Sequence, residues 1–366
     1  MVHSGQDAPG EAQIDARQGH WGKVQYPDSP PLVIAEISAN HLGNLDRAVS
    51  LISVARDSGA DIVKFQHYSP QTITVNSKHP DFTIQGTSLW AGRNLWNLYE
   101  EAMTPWDWTR DLADVCRDLG IGWFSTPFDE TAVDFLEQFS PPMYKVASFE
   151  IIDIPLIEKI AQTGKPMIIS TGMATEVEIS EAVNAVRDAG NTQIALLRTN
   201  SAYPAPVDEM DLRAIPYMAK KWDVPVGLSD HTLDHTSAIV ATALGARIFE
   251  KHLTLKRSDG GPDAAFSLEP EEFADYVAKI NDAYSSLGTE RLGPSPREQD
   301  SLRFRPSIRA RRDIKQGEQL TLENVATLRP AGGLLPKYLG SMIGGVASRD
   351  LMAGSPVTQV DVEPKD

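Results

Sequence analysis

Lys64 stands two residues before Gln66, and Glu250 two before His252, in short runs rich in apolar residues. Side chains alternate along an extended strand, so each pair shares one face. Lys145 lies three residues before Ser148 in a similar run. An ammonium group inside such a run needs a partner, because burying it alone is costly. Hydroxyls gather at the ends of comparable runs: Ser125-Thr126, Ser148, Ser170-Thr171, Ser201 and Ser229. Two lysines with many O–H and N–H donors suit an acid that carries both phosphate and carboxylate, each accepting charge-assisted hydrogen bonds. The sequence has no Gly-Lys-Ser/Thr phosphate loop, which points to a small phosphorylated acid rather than a nucleotide. His231 and His252 can share a divalent transition metal, with water in the open positions. Glu36, Glu150 and Asp263 are available for acid–base work, or for holding the lysines in place.

These groups come from many separate runs, so the fold must bring them together. Eight strand-like runs are expected: Leu32–Ile37, Asp61–Gln66, Ile121–Thr126, Met143–Ser148, Met167–Thr171, Ile194–Thr199, Val224–Leu228 and Ile248–Leu253. Helix-like segments follow them, among them Leu45–Ala55, Trp106–Asp118, Glu176–Ala189 and Pro270–Ser286. Eight such units over about 255 residues predict an α/β fold, a (β/α)8 TIM barrel over residues 31–288. Continuous apolar runs fit strands covered on both faces. A doubly wound open sheet is the alternative, since local pattern does not prove closure. In a barrel, polar residues at strand C-terminal ends meet at one mouth. About 40 residues separate Gln66 from the helix near Trp106, long enough to predict a lid or binding excursion. The turn-rich Lys256–Asp263 loop is expected over the same mouth.

Outside the barrel, residues 1–30 lack periodicity and read as a flexible tail, and 289–305 as a linker rich in Pro, Arg and Gln. Residues 306–366 contain a repeat. Ala310-Arg311-Arg312-Asp313-Ile314 with Gly317, Leu320 and Thr321 recurs as Ala347-Ser348-Arg349-Asp350-Leu351 with Gly354, Val357 and Thr358. Two related β-turn-β halves in a small β-rich domain are expected, marginal alone and therefore docked on the barrel or on a second chain.

The 366 residues include 34 Lys+Arg and 50 Asp+Glu, a net charge of −16. That balance argues against nucleic acid or an anionic membrane as partner. A single cysteine, Cys116, excludes an internal disulfide and a cysteine-cluster metal site. No apolar run approaches membrane-spanning length and no signal-peptide pattern opens the chain, so a reduced, cytoplasmic protein is expected. The residues alone predict a metal-assisted barrel enzyme acting on an anionic small molecule.

Several motifs, in order, closely resemble the sialic acid synthase family. They are Ile34–His41, Val63-Lys64-Phe65-Gln66, Tyr144–Ser148, Ser170-Thr171-Gly172-Met173, Gly227–His231 and Glu250-Lys251-His252. The C-terminal repeat resembles that family's antifreeze-like (β-clip) module, with Arg329-Pro330 in the place of its sugar-contacting arginine. Gly86–Asn94, Thr104–Trp108, Ser201–Pro204 and Ser258–Pro270 resemble the branch whose acceptor is a 2,4-diacetamido-2,4,6-trideoxy hexose of altrose configuration. Thr199-Asn200 and Ala91 depart from the commoner pattern.

The resemblance implies condensation of phosphoenolpyruvate with an N-acetylated amino sugar, giving a nine-carbon sialic-acid-like product and phosphate. Acceptors leading to neuraminate or legionaminic acid are the alternatives. It implies that Lys64, Thr126, Lys145, Ser148, Ser170, Ser201 and Ser229 hold phosphoenolpyruvate, and that Gln66, Tyr203, Asp263 and Arg329 contact the sugar. His231 and His252 would hold a divalent ion, manganese first, with magnesium or cobalt as alternatives. Glu150 or Glu36 would guide a water. Arg329 reaching from a second subunit implies a domain-swapped homodimer. A metal-dependent hydrolase, a Schiff-base aldolase and an ice- or glycan-binding module are the competing classes.

Overall fold

Eight parallel strands close into a barrel: β1 (Leu32–Glu36), β2 (Ile62–His67), β3 (Gly122–Pro127), β4 (Tyr144–Val146), β5 (Met167–Ser170), β6 (Ile194–Thr199), β7 (Val226–Asp230) and β8 (Ile248–His252). They pair in chain order, and β8 returns to β1 with Glu36 opposite His252. The computed structural model describes residues 16–25, 30–86 and 88–363, and falls into two compact units, up to Gly288 and from Thr289. Closure excludes the open sheet.

Alternation along the strands divides the barrel interior by height. Toward the strand starts, the inward positions are apolar: Leu32, Ile34, Ile62, Phe124, Met143, Ile168, Ala195, Leu197 and Ile248 form one buried cluster. Toward the strand ends the same face carries Glu36, Lys64, Thr126, Lys145, Ser170, Ser229 and Glu250, all buried. The outward positions, such as Val33, Val63, Ile169 and Phe249, pack under the helices in the larger cluster. Gly227 is required inside, because a Cβ there would lie 2.2 Å from the Ile248 carbonyl oxygen.

The helices start where the sequence caps them. Asn44 accepts from Arg47 N ahead of the helix Leu45–Asp57, Asp129 caps Glu130–Glu137, and Thr175 with Glu178 forms a capping box at Glu176–Asp188. Gly120 ends Thr109–Leu119 in the left-handed region at φ +71°.

The N-terminal segment corrects the sequence expectation. Residues 16–25, expected to be part of a flexible tail, form a helix (Ala16–Gln25); residues 1–15 and 26–29 of that expectation lie outside the described residues. Trp21 and Val24 enter the apolar cluster at the strand starts. Lys23 pairs with Asp61, whose other oxygen accepts from Val33 N at 2.9 Å. Gly122 leaves the room: a Cβ on it would lie 2.7 Å from His20 Cε1. The missed signal was only two apolar residues three apart, too short a period to read as a helix.

In the second unit, β9 (Ser307–Ala310) pairs antiparallel with β10 (Val325–Leu328), and β11 (Val346–Ala347) with β12 (Val362–Glu363). The repeat is used as an internal pseudo-two-fold. Ile314 and Leu351 exchange both backbone hydrogen bonds at 2.8 Å. Asp313 accepts from Ala353 N while Asp350 accepts from Gln316 N, each at 2.8 Å. Ile308, Ile314, Leu320, Leu351 and Val357 fill the core between the halves. The expected linker is 3₁₀-helical over Pro296–Phe304, and Arg303 O accepts from Ala331 N, so it folds with this unit. No helix among the described residues is long and apolar enough to cross a membrane.

Trp21→Ala is expected to lower stability by about 3–5 kcal/mol, the range for emptying a large buried aromatic site, with the strand-end chemistry intact. A thermal unfolding midpoint equal to that of the unaltered protein would mean that the helix contributes nothing to the barrel floor.

Candidate active site

The polar upper layer is built around Glu250 on β8. Its carboxylate lies 3.6 Å from Lys64 Nζ and 3.9 Å from Lys145 Nζ, and accepts from Ser229 Oγ at 3.3 Å. One anion thus sits between two buried cations from β2 and β4. Burial alone would raise the Glu250 pKa, but Lys145, Lys64 and the two nearby histidines bring it down to about 2. Burial pulls Lys64 downward, and Glu250 and Glu36 outweigh it, so its pKa ends above the ordinary lysine value. Lys145 ends lower, at about 8, because desolvation exceeds the help it receives from Glu250.

The other contacts of each lysine show what remains for a ligand. Lys64 pairs with Glu36 and donates to Thr126 Oγ1 at 3.2 Å. Glu36 also accepts from Ser38 N at 2.6 Å, so it serves as a fixed anchor for Lys64. Lys145 donates to Ser170 Oγ at 2.6 Å and to Val146 O at 3.2 Å. Ser170 Oγ, as acceptor there, keeps its own O–H to donate. Ser148 Oγ accepts from Gly172 N at 3.2 Å and likewise keeps its proton. Ser201 Oγ is buried without a well-formed hydrogen bond, with the Tyr203 hydroxyl as its polar neighbour. A Cβ on Gly172 would fall 2.1 Å from Ser201 Oγ and 2.8 Å from Ser148 Oγ, so both hydroxyls crowd one glycine. Unspent donors from three strand ends, beside an ammonium group, form an anion cradle.

Glu150 lies in the 3₁₀ turn Phe149–Ile152 that follows β4. Its Oε2 is buried without a partner. Desolvation pushes its pKa up to about 7, against the opposing pull of its own backbone N–H and of Lys145. Glu36 and Glu150, interchangeable in the sequence, are therefore physically different groups: one is locked in an ion pair, the other is free and poised near neutrality.

His231 and His252 face each other with ring centroids 5.6 Å apart. His231 Nδ1 lies 2.8 Å from Asn200 O, and burial lowers its pKa to about 3, so the neutral ring donates Nδ1–H to that carbonyl. Its Nε2 lone pair is then available to a ligand, the arrangement that orients histidines at metal sites. His252 Nδ1 is buried without a hydrogen bond and lies 3.4 Å from Asp263 Oδ2. Two neutral or carboxylate-backed imidazoles fit a divalent ion. Among the described residues no group of three or more His, Cys, Asp or Glu side chains is arranged to hold one, so the pair supplies two ligands at most.

Of the residues predicted from sequence, Glu36, Lys64, Gln66, Thr126, Lys145, Ser148, Glu150, Ser170, Ser201, Tyr203, Ser229, His231, His252 and Asp263 all lie on strand ends or the loops that follow them, on the barrel unit. Gln66 is next to Thr126 in register, and Tyr203 lies 4.4 Å from the His231 ring. Arg329 is exposed after β10 in the other unit. Ser125 turns outward instead, donating to Phe65 O at 3.0 Å and lying against His67. Lys251 also faces outward, paired with Asp230 at 3.3 Å.

Sequence reasoning passed over the central role of Glu250, although its spacing from His252 carried the signal. It also passed over Trp90 and Phe266. Trp90 Nε1 donates to Pro262 O at 2.8 Å, tying the excursion after β2 to the loop after β8. Tyr68, from the same excursion, is buried, and its hydroxyl is pushed well above the usual tyrosine value by burial, with Asp263 adding to it.

Family models and relatives match both parts of the chain. The NeuB family matches residues 51–291 and the SAF domain residues 305–363. A pseudaminic acid synthase of Helicobacter pylori is 42% identical over 335 residues, covering 91% of this chain and 98% of its own. An N,N'-diacetyllegionaminic acid synthase of Legionella pneumophila is 34% identical, covering 90% of this chain and 94% of its own. The crystal structure of an N-acetylneuraminic acid synthetase from Leptospira borgpetersenii, in complex with citrate, superposes with a TM-score of 0.67 at 30% identity, covering 75% of this chain and 90% of that one.

Gly172→Ala is expected to push Ser148 and Ser201 apart, to lower stability by about 1–3 kcal/mol as overpacking does, and to weaken binding of inorganic phosphate by about tenfold, the scale of one lost hydrogen bond to a charged group. Calorimetric titration checks this; unchanged affinity would remove the two hydroxyls from the anion site.

Proposed function

Because the chain belongs to the NeuB family and carries a SAF domain after its barrel, we propose that it condenses phosphoenolpyruvate with 2,4-diacetamido-2,4,6-trideoxy-altropyranose to give pseudaminic acid and phosphate. The observation that carries this reading is the mouth of the barrel, where two buried lysines, three unspent hydroxyls and a facing histidine pair converge. The relatives named pseudaminic acid synthase span almost their whole length in this chain.

In this reaction the methylene carbon of phosphoenolpyruvate forms a C–C bond to the aldehyde carbon of the open-chain sugar, and the aldehyde oxygen takes a proton. Water adds to the former enol carbon, and the C–O bond to phosphate then breaks. Lys145, Ser148, Ser170 and Ser201 hold the phosphate and carboxylate, with Lys64, Thr126 and Ser229 completing the layer beneath. Their donors are fixed before the substrate arrives, so charge can redistribute without reorganising the site. Glu36 keeps Lys64 in place. Glu150, free and with a pKa near neutrality, takes the proton of the attacking water. Gln66, Tyr203 and Asp263 orient the sugar. His231 and His252 would hold a divalent ion, manganese in the first instance, which when bound would supply Lewis-acid polarisation of the aldehyde.

The working form in this reading is a domain-swapped homodimer, in which the partner subunit's Arg329 reaches an N-acetyl group. Support comes from the exposure of Arg329 in the second unit and of apolar Phe149, Ile152, Met173 and Val177 on the barrel. The setting is cytoplasmic; Cys116 is buried and its thiol is pushed up to about 12, so it has no reactive role.

Mass spectrometry of products from phosphoenolpyruvate and a panel of N-acetylated hexoses tests the reaction. The diacetamido altrose sugar is expected to give the nine-carbon acid with equimolar phosphate; a better yield from a gluco- or manno-configured acceptor would overturn the assignment. A chelator is expected to abolish turnover, and His231→Ala and His252→Ala each to lower bound metal. Full metal content in both variants would refute the histidine assignment.

The pH profile of kcat/KM is expected to be narrow. Glu150 becomes a base only above about pH 7, which by itself raises the rate about tenfold between pH 6 and 8, and about fivefold once half of Lys145 is neutral at pH 8. Lys145 loses its charge above about pH 8, so binding of the acid weakens there. Glu150→Gln should abolish the acidic limb and slow turnover by about 10²–10⁴. Retention of that limb in the variant would assign it to another group.

A further inference from the structure

We propose that Trp90 is a specificity-determining residue: backed by Phe266 and flanked by Tyr203, it presents an apolar ring face that receives the methyl-bearing end of the acceptor sugar and disfavours a hydroxymethyl group there. The inference rests on the condensation reading and goes beyond it by naming what selects the acceptor.

The rings are contiguous. Trp90 lies 5.3 Å from Tyr203 and 6.2 Å from Phe266, and Tyr203 and Phe266 are 4.8 Å apart. Tyr203 lies 4.4 Å from His231, and Phe266 4.9 Å from His252. The rings therefore run on from the histidine pair, with Trp90 separated from each histidine by one intervening ring. Trp90 comes from the excursion after β2, Tyr203 from the loop after β6, and Phe266 from the loop after β8. Three separate loops converge on aromatic contact, and the packing of the barrel strands themselves does not require it.

Apart from Trp90, the only polar group of the cluster is the Tyr203 hydroxyl: the one donor of Trp90 is committed to Pro262 O, and Phe266, which has none, is fully buried and backs the cluster. A hydroxyl placed against the Trp90 ring would lose water without gaining a partner from it. A methyl group there buries against ring faces, where aromatic side chains give large apolar contact. The acceptor is a 6-deoxy sugar, so its C6 is a methyl group, at the opposite end of the open chain from the aldehyde. Trp90 is half-buried, so part of its ring stays open to contact.

The test compares two diacetamido hexoses identical except for a methyl or a hydroxymethyl group at C5. The unaltered protein is expected to favour the methyl acceptor by about 10²-fold in kcat/KM, the scale on which an apolar pocket discriminates against a hydroxyl. Trp90→Ala should reduce that preference to about tenfold or less, through a raised KM for the methyl acceptor. The KM for phosphoenolpyruvate and its calorimetric affinity should not move, which also reports an intact fold. Trp90→Phe should keep most of the preference. An unchanged ratio in Trp90→Ala, with condensation proceeding, overturns this proposal alone. Absence of condensation with either acceptor in the unaltered protein overturns the reading beneath it and this proposal together.

Discussion

One carboxylate holds the centre of this barrel. Glu250 stands between Lys64 and Lys145, and without it two ammonium groups would share a water-poor interior with only Glu36 to balance them. Removing one member of a buried ionic set leaves its partner uncompensated, at a cost of about 3–5 kcal/mol. The arrangement divides the labour unequally. Lys64, held by two carboxylates, is a permanent cation, whereas Lys145 is held by one distant carboxylate and sits close to its titration point. The more weakly paired lysine is also the one beside the unspent serine hydroxyls, so an arriving anion completes a set that the protein leaves partly open.

That ionic layer is affordable because the rest of the barrel interior is apolar and closed from below. The inward positions change from Leu, Ile, Phe and Met to Glu, Lys, Ser and Thr within two residues along several strands. The helix Ala16–Gln25 covers the apolar end with Trp21 and Val24. The loops cover the other end, where Trp90 bridges the excursion after β2 to the loop after β8. The buried charges of the upper layer thus lie between an apolar layer and loops that carry aromatic rings, surroundings that strengthen each charge interaction.

The two carboxylates near the mouth show how environment assigns roles. Glu36 lies on β1 next in register to Lys64, and its short hydrogen bond to Ser38 N leaves it no freedom. Glu150 lies in a turn, where nothing bonds its buried oxygen and desolvation keeps its pKa near 7. The histidines differ in the same way. His67, buried with both ring nitrogens occupied by Ser125 and Thr109, is structural; His231 has one nitrogen committed to Asn200 O and the other uncommitted.

The sequence by itself determined the eight strands, most helix starts and nearly every polar group at the mouth, because local spacing decides which face a strand residue takes and which cap a helix receives. It also determined the repeat in the second unit, where Asp313 and Asp350 prove to exchange equivalent contacts with the opposite half. Which lysine keeps its charge, which glutamate is free and which hydroxyls lack a partner were decided only by the tertiary structure. Those properties depend on distances across the barrel between residues far apart in the chain, as between Lys64 and Glu250, 186 positions apart. The same holds for the meeting of Trp90, Tyr203 and Phe266 and for the helix at the barrel floor. No local period encodes them, since they arise when closure brings loops from distant strands over one opening.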